Sequence, residues 1–424
     1  MGWLGVAGVL AVFTLFPIAG MVLAWGHYAW RSRHPHPAPR RLPAVAVILP
    51  LRGADPSLEA CLSGVLAQNY PAYAVRIVVD SAEDPAHAIV RRILARGHAP
   101  QANVSVDVRR ELSERCSLKL SAQRQALLQL DDTVEVVAFL DADSIPAADW
   151  LRAMVAPFAD PRVGATSGIR WFTPVDRGHG TLARYVLNAI SFPQMFLYRI
   201  PWGGSLAVRK RALQEAGLID YWRHCFCEDT SIYGPLRGLG LCLAYVPAAT
   251  QLNGEAVSLA GAYHFILRQL ICVRLHHVYW PLLLAANLAA MLSFIGCCVL
   301  AMIGIAGTGL ASFGVATQSW KLTGLAVIPA LYVAGAVAML AIGERLVRRG
   351  APAPRPVLRF TEFARGMSLA LYQSTGAMFA APFARAIEWR GIVYDIGGRD
   401  SVRMRAYRPY RGAVADSGAT RSLL

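Results

Sequence analysis

The residues with the strongest claim to chemistry in this chain are acidic, and they stand where short apolar runs stop. Val45 to Leu49 runs into Pro50, Val75 to Val79 into Asp80 and Ser81, and Val134 to Leu140 into Asp141-Ala142-Asp143. A second acidic pair, in Cys227-Glu228-Asp229-Thr230, opens a predicted helix, and Gly203-Gly204-Ser205 precedes another apolar run. A carboxylate can hold a hard divalent cation through oxygen, or take a proton from a hydroxyl. Asp is also common in turns and helix caps, so a lone D-x-D says little. The shared placement at the ends of apolar runs is what makes these residues informative.

The elements that must position them follow from the same runs. Val45–Leu49, Val75–Val79, Val104–Val108 and Val134–Leu140 are nearly continuous in Val, Ile and Leu, and amphipathic stretches such as Leu58–Gln68 and Ser121–Leu130 separate them. That pattern predicts a parallel α/β sheet covered on both faces, a Rossmann-like nucleotide-binding half. In open sheets of this kind ligands lie at the carboxyl ends of the strands. A second half, from Val163 to Thr250, carries the glycine tripeptide and the Glu228-Asp229 pair.

Of the 424 residues 55% are hydrophobic and only 16% charged, which points to a membrane-embedded chain. Gly2 to Trp25 is uncharged and about the ~20 residues needed to cross a bilayer core. Arg31, Arg33, Arg40 and Arg41 follow this run, which reads as a helix rather than a cleaved signal and sets the N-terminus outside. Pro281–Ala306 and Leu322–Ile342 are long enough to span, whereas Gly366–Phe383 can span, re-enter or lie flat. Ser258–Tyr279 reads as an amphipathic helix, lying at the membrane surface or packed in the protein. The expected order is thus a transmembrane helix (1–28), a basic linker (29–43), a cytoplasmic catalytic domain (44–257), an interfacial helix (258–280), a membrane region (281–384) and a basic tail (385–424). The formal charge of +15 comes from arginines beside the apolar spans, where topology and anionic headgroups account for them better than nucleic acid does. Eight cysteines form neither a disulfide framework nor zinc-finger spacing.

These residues also carry a resemblance. Ile48-Leu49-Pro50-Leu51-Arg52-Gly53-Ala54-Asp55-Pro56, Glu83-Asp84-Pro85-Ala86, Asn69-Tyr70-Pro71, the Asp141/Asp143 pair, Glu228-Asp229 and Trp389-Arg390-Gly391 are similar in order and spacing to the ceramide glucosyltransferases, among the family 2 and family 21 membrane glycosyltransferases. The likeness runs from Val45 to Tyr394. It implies a glycosyltransferase A fold, a UDP-sugar donor, a membrane lipid acceptor, a Mg²⁺ or Mn²⁺ ion, and inversion at the anomeric carbon in one displacement. It assigns Asp143, with Asp141, to the metal, and Pro50, Asp80, Ser81, Lys119, Asp141 and Arg268 to the nucleotide. Asp229 matches the base, while Gly203, Gly204, Ser205, Glu228 and Arg274 fall in the donor and acceptor region. The composition hints at a high-GC bacterium, hence an inner-membrane location with the catalytic domain in the cytoplasm.

One departure stands out. The family pattern places Arg-Trp after the position of Arg268, but this chain has Ile271-Cys272, so either Arg274 one turn on substitutes or activity is altered. Phe192 stands where animal members have histidine. A catalytically impaired scaffold and a polysaccharide synthase therefore remain as rival readings, although three or four spans are few for a polymer channel.

Overall fold

The computed structural model describes residues 3–97, 100–110, 112–311, 326–347 and 358–410. In chain order these form α1 (Trp3–Arg33), β1 (Val45–Leu51), α2 (Leu58–Leu66), β2 (Tyr73–Val79), α3 (Pro85–Ala95), β3 (Ala102–Val108), α4 (Leu118–Leu128), β4 (Val136–Leu140), α5 (Trp150–Val155), β5 (Val163–Ser167) and β6 (Arg170–Phe172). There follow α6 (His179–Tyr198), β7 (Ser205–Arg209), α7 (Lys210–Glu215), α8 (Leu218–Tyr221), α9 (Asp229–Gly238), β8 (Cys242–Tyr245), β9 (Gln251–Asn253) and α10 (Leu259–His276). The chain continues as α11 (Trp280–Ala311), α12 (Val327–Val347), α13 (Phe360–Ala380), β10 (Ala386–Trp389), β11 (Ile392–Ile396) and β12 (Val402–Met404).

The main sheet has seven strands in the order β3-β2-β1-β4-β7-β5-β8. Its first four strands are parallel, and the aliphatic runs of β1 and β4 are buried on both faces, whereas the edge strand β3 alternates Val with Ser and Asp and is only half-buried. The sheet is mixed rather than wholly parallel, because β7 runs antiparallel to both β4 and β5. The long helix α6 separates β6 from β7 in the chain, and β7 then enters the sheet in the opposite sense. The sequence around α3 and α4 sets the helix starts. Asp84 caps α3 by accepting from Ala86 N, with Pro85 in the first turn, and Ser117 caps α4 by accepting from Leu120 N. The second cap places Lys119 in the first turn of α4, facing the strand ends.

Among the described residues three helices are long and apolar enough to cross a membrane, over Gly8–Arg33, Trp280–Ile303 and Val327–Val347. Residues 322–325 of the second predicted C-terminal span, and the linker 350–356, lie outside the described residues. The stretch Gly366–Phe383 falls within α13 and the short turn after it. Helix α13 packs along α6 and α10 and carries Glu362 and Arg365. Helix α10 packs as well: its last turns bury Ile271, Cys272, Val273, Leu275 and His276. The core runs without a break from the sheet into the apolar helices α1 and α12, where Trp25 of α1, wholly buried, donates from Nε1 to the Ala189 carbonyl at 2.9 Å. Phe192 belongs to this core, its ring 4.6 Å from Trp25 and 4.5 Å from Tyr28.

The residues after 385 are not a plain basic tail. β10, β11 and β12 make an antiparallel sheet, and alternation buries Ile387, Ile392, Tyr394, Ile396, Val402 and Met404. Trp389 pairs with Ile392 across a two-residue turn in which Arg390 (φ 47°) and Gly391 (φ 76°) both take positive φ. Such turns match the twist of the strands they join, and Gly suits the second position. The turn carries Trp389 and Arg390 to the strand ends of the main sheet.

Candidate functional site

A cavity of about 110 Å³ lies at the carboxyl ends of β1, β2 and β4. Pro50, Asp80, Lys119, Asp141, Asp143 and Arg268, all singled out from the sequence, line it, joined by Arg52, Arg109, Arg170, Trp389, Arg390 and Tyr394. Its character is a set of carboxylates matched by a larger set of cations.

Lys119 is the centre of one network. Its Nζ lies 2.7 Å from Asp141 Oδ1 and 2.6 Å from Glu228 Oε1. Burial alone would lower its pKa, but Asp141, Glu228 and Asp229 outweigh that and hold it above the usual lysine range. Burial likewise works against ionised Asp141, yet Lys119 and Arg170 pull its pKa below the ordinary carboxylate value. Glu228 is fully buried, and its pKa is raised chiefly by that burial.

Arg170, on the three-residue strand β6, is the second centre. Its Nη1 is 3.0 Å from Asp143 Oδ2, its Nη2 donates to Asp143 Oδ1 at 3.1 Å, and Nη2 is 3.6 Å from Asp141 Oδ2. The guanidinium lies 4.8 Å over the Trp202 ring. Gly204 makes that seat possible, since a Cβ there would come within 2.2 Å of the indole. Burial raises the pKa of Asp143 even with Arg170 beside it.

Asp229 begins α9 beside this network. Its Oδ2 accepts from Gly203 N at 3.1 Å and its Oδ1 from Thr230 N at 2.7 Å, which fixes the carboxylate's orientation. A side chain at 203 would collide with Glu228 Oε1 at 2.2 Å, so glycine is required there. Glu228 makes no capping hydrogen bond to α9.

Other predicted residues lie elsewhere. Ser205 is wholly buried in β7, where its hydroxyl accepts from Trp150 Nε1 at 2.8 Å and reaches the Ala249 carbonyl at 3.2 Å. Ser81 Oγ is buried without a hydrogen-bond partner among the described residues. Arg274 faces away, donating to the carbonyls of Pro382 at 2.8 Å and Gly397 at 3.4 Å. An indole and a guanidinium reach the cavity from the other end of the chain, from the Trp389-Arg390-Gly391 run that is itself part of the family pattern. Arg268 lies 5.5 Å over the Trp389 ring, and Arg390 reaches Asp55 at 3.1 Å. Ile271 and Cys272 instead pack against the C-terminal sheet.

The all-oxygen donor set of Asp141 and Asp143, facing the cavity from the end of β4, suits a hard divalent cation that takes one or two carboxylates and completes its shell with water and phosphate. Arg170 would have to yield part of Asp143 to it. A different group of possible ligands, Cys225, His276 and Asp400, has ligand atoms within 4.8 Å of one another. There Phe226 N donates to His276 Nε2 at 2.9 Å, which leaves the proton on Nδ1, 2.9 Å from Asp400 Oδ1. The trio reads as a strut between α10 and the C-terminal sheet.

The glycosyl transferase family 21 profile matches residues 9–402. The chain belongs to glycosyltransferase family 21. Its catalytic domain has the glycosyltransferase A fold that the resemblance implied, and the mixed sheet is that domain's frame. Among curated relatives, the chain is 34% identical over 130 residues to an N-acetylglucosaminyltransferase of Rhizobium meliloti (strain 1021), covering 30% of this chain and 29% of that one. It is 35% identical over 60 residues to a ceramide glucosyltransferase of Komagataella phaffii (strain GS115 / ATCC 20864), covering 13% and 12%. The chain thus matches less than a third of the length of either relative. Among solved structures, the mannosyltransferase PcManGT of Pyrobaculum calidifontis, in complex with GDP-Man and Mn²⁺, is 21% identical with a TM-score of 0.45, covering 78% of this chain and 99% of that one. Glucosyl-3-phosphoglycerate synthase of Mycobacterium tuberculosis is 15% identical with a TM-score of 0.33, covering 58% and 82%.

Proposed function

We propose that this protein is a membrane-bound, inverting glycosyltransferase that moves a sugar from a UDP-sugar to the hydroxyl of a membrane lipid at the cytoplasmic face. The observation that carries the reading is the meeting, in one cavity at the strand ends, of the Asp141/Asp143 pair with Lys119, Arg170, Arg268 and Arg390, with Asp229 beside it. A diphosphate leaving group develops negative charge as the glycosidic bond breaks, and preoriented cations in a water-poor site stabilise it. Arg268 and Arg390 are placed for that task, while Lys119 holds Asp141 and Glu228 in register. A Mg²⁺ or Mn²⁺ ion on Asp143, with Asp141, would supply further charge neutralisation at the diphosphate. Asp229, its carboxylate oriented by two backbone N–H groups, is the base that takes the proton of the acceptor hydroxyl as it attacks the anomeric carbon from the face opposite the nucleotide.

The membrane assignment rests on the three apolar helices, and the cytoplasmic assignment on the arginines that follow the first of them. A lipid acceptor fits a site whose helices α6 and α10 continue the core into the membrane helices. The rival scaffold reading draws on Ile271 and Cys272, and the retained Asp143 and Asp229 argue against it. Purified protein with lipid extract and Mn²⁺ should release UDP from at least one UDP-sugar. Firm UDP binding without any release across a panel of sugars and lipids would instead favour the scaffold.

A further inference from the structure

The family match ends at residue 402, but the chain goes on, and its next residues lie across one end of the cavity. Beyond β12, Tyr407 donates from its hydroxyl to Asp80 Oδ2 at 3.3 Å, and its ring lies 4.8 Å from the Arg109 guanidinium. The Arg408 carbonyl accepts from Arg52 Nη2 at 2.9 Å. The Tyr410 ring covers Gly53, where even a Cβ would come within 2.6 Å of it, and lies 5.6 Å from the Arg52 guanidinium. This is the β1–β2 end of the site. The acidic pair ends β4, two strands from Asp80 at the end of β2, so with the diphosphate held at that pair a nucleoside would point toward Asp80.

The chemistry at that end fits a pyrimidine. Asp80 is an acceptor flanked by two donors: Arg52 contacts Oδ2, and Arg109 donates to Oδ1 from Nε at 3.1 Å and from Nη2 at 3.0 Å. Uracil presents the complementary edge, an imide N–H between two carbonyls. Arg52 and Arg109 themselves engage both oxygens of Asp80, and with the tail seated the Tyr407 hydroxyl adds a further contact to Oδ2, while the cavity measures about 110 Å³, below the roughly 300–1,000 Å³ of pockets that bury small ligands.

We propose that residues 405–410 are a displaceable latch, in which Tyr407 holds the Asp80 acceptor that a uracil imide would take and Tyr410 covers the loop at Gly53, so that donor nucleotide and tail compete for one end of the site. The inference rests on the nucleotide assignment made above. Side-chain contacts rather than a ladder hold the segment: Arg405 donates from its N–H to the Val393 carbonyl at 3.0 Å and from Nε to Asp395 at 2.9 Å, and after it there is no strand pairing.

Full-length protein in detergent, a chain ended after Met404, and Tyr407→Phe are compared by UDP titration. A competing latch lowers apparent affinity by the fraction of molecules in which the site is open. Truncation should tighten UDP by about tenfold, and Tyr407→Phe, which removes only the hydroxyl, by less. UDP should also speed tryptic cleavage after Arg405 in the full-length chain. Unchanged or weaker UDP binding after truncation overturns the latch and makes the tail part of the base's platform or a bystander. If no form binds UDP, the donor assignment fails and the competition with it. Slow cleavage after Arg405 in the free parent, made fast by Tyr407→Ala, shows in that case that the tail is seated but not against this nucleotide.

Discussion

Trp171 donates from Nε1 to Glu344 Oε1 at 2.9 Å, so a carboxylate on the apolar helix α12 grips the strand that carries Arg170. Tyr185 of α6 donates to the same oxygen at 2.8 Å. Neighbouring residues on a strand point to opposite faces, so Arg170 reaches the acidic pair while Trp171 reaches α12. Gly343 leaves room for the indole, since a Cβ there would meet the Trp171 ring at 2.3 Å. The membrane part thus holds the strand that positions a site cation.

Replacing Glu344 by Ala should therefore do more than disturb a span. Each buried donor left without an acceptor costs about 1–3 kcal/mol, so thermal unfolding in detergent should come earlier, with turnover falling as β6 loosens. Glu344→Gln keeps an acceptor and should recover most of the loss. Equal melting of the parent and the Ala variant would show that Trp171 and Tyr185 find other partners.

The Asp143 carboxylate should be needed for metal-supported turnover. Asp143→Asn keeps the shape but removes the charge that a hard cation prefers. UDP release at ordinary Mn²⁺ should fall at least about 100-fold, since metal neutralisation of a leaving diphosphate is worth several kcal/mol. Normal turnover of that variant in the presence of a chelator would remove the metal from the mechanism.

The catalytic domain should face the cytoplasm. Arg96 is exposed, just after α3. A cysteine placed there, in a background where the exposed Cys242 is replaced by Ser, should react with a membrane-impermeant maleimide only after the cells are opened. Labelling in intact cells would reverse the topology and remove access to cytosolic sugar nucleotides.

How much of this was legible in the sequence depends on whether the signal was local. β1 to β4 were written in aliphatic runs, and Asp80, Asp141 and Asp143 in their abrupt ends. Lys119 followed from its place in a family pattern. Arg170 was invisible because its strand has three residues and its partners, Asp141 and Asp143, lie 27 or more positions away. Arg390 was part of a recognised Trp-Arg-Gly run, but its role needs a turn with two positive φ values and a contact with Asp55, 335 residues earlier. Arg274 misled for a geometric reason: six residues at 3.6 per turn carry it about 240° around α10 from Arg268. Ser205 misled because a Gly-Gly-Ser run looks like a loop, whereas Trp150 claims its hydroxyl for the core.

The sharpest separation of enzyme from scaffold comes from Asp229. Its carboxylate accepts from Gly203 N and Thr230 N, and Asn can keep one of these bonds through its carbonyl oxygen while losing the ability to take a proton. As a helix-start residue alone, Asp229 would be worth about 1 kcal/mol of stability. As a general base, its loss should slow transfer by roughly 10²- to 10⁴-fold. Asp229→Asn should therefore melt close to the parent and bind UDP with the parent's affinity, yet transfer almost no sugar. Undiminished turnover would strike Asp229 from the mechanism. If the parent is also silent, restoring the missing pair by Ile271→Arg with Cys272→Trp is the decisive change, but the structure attaches a condition to it. Both positions are buried against the C-terminal sheet, at 2% and 7% exposure, so a cation there must reach the cavity or destabilise the fold. Gain of transfer with unchanged melting would identify a decayed transferase. Early melting without transfer would show that this fold does not accept the pair at these buried positions.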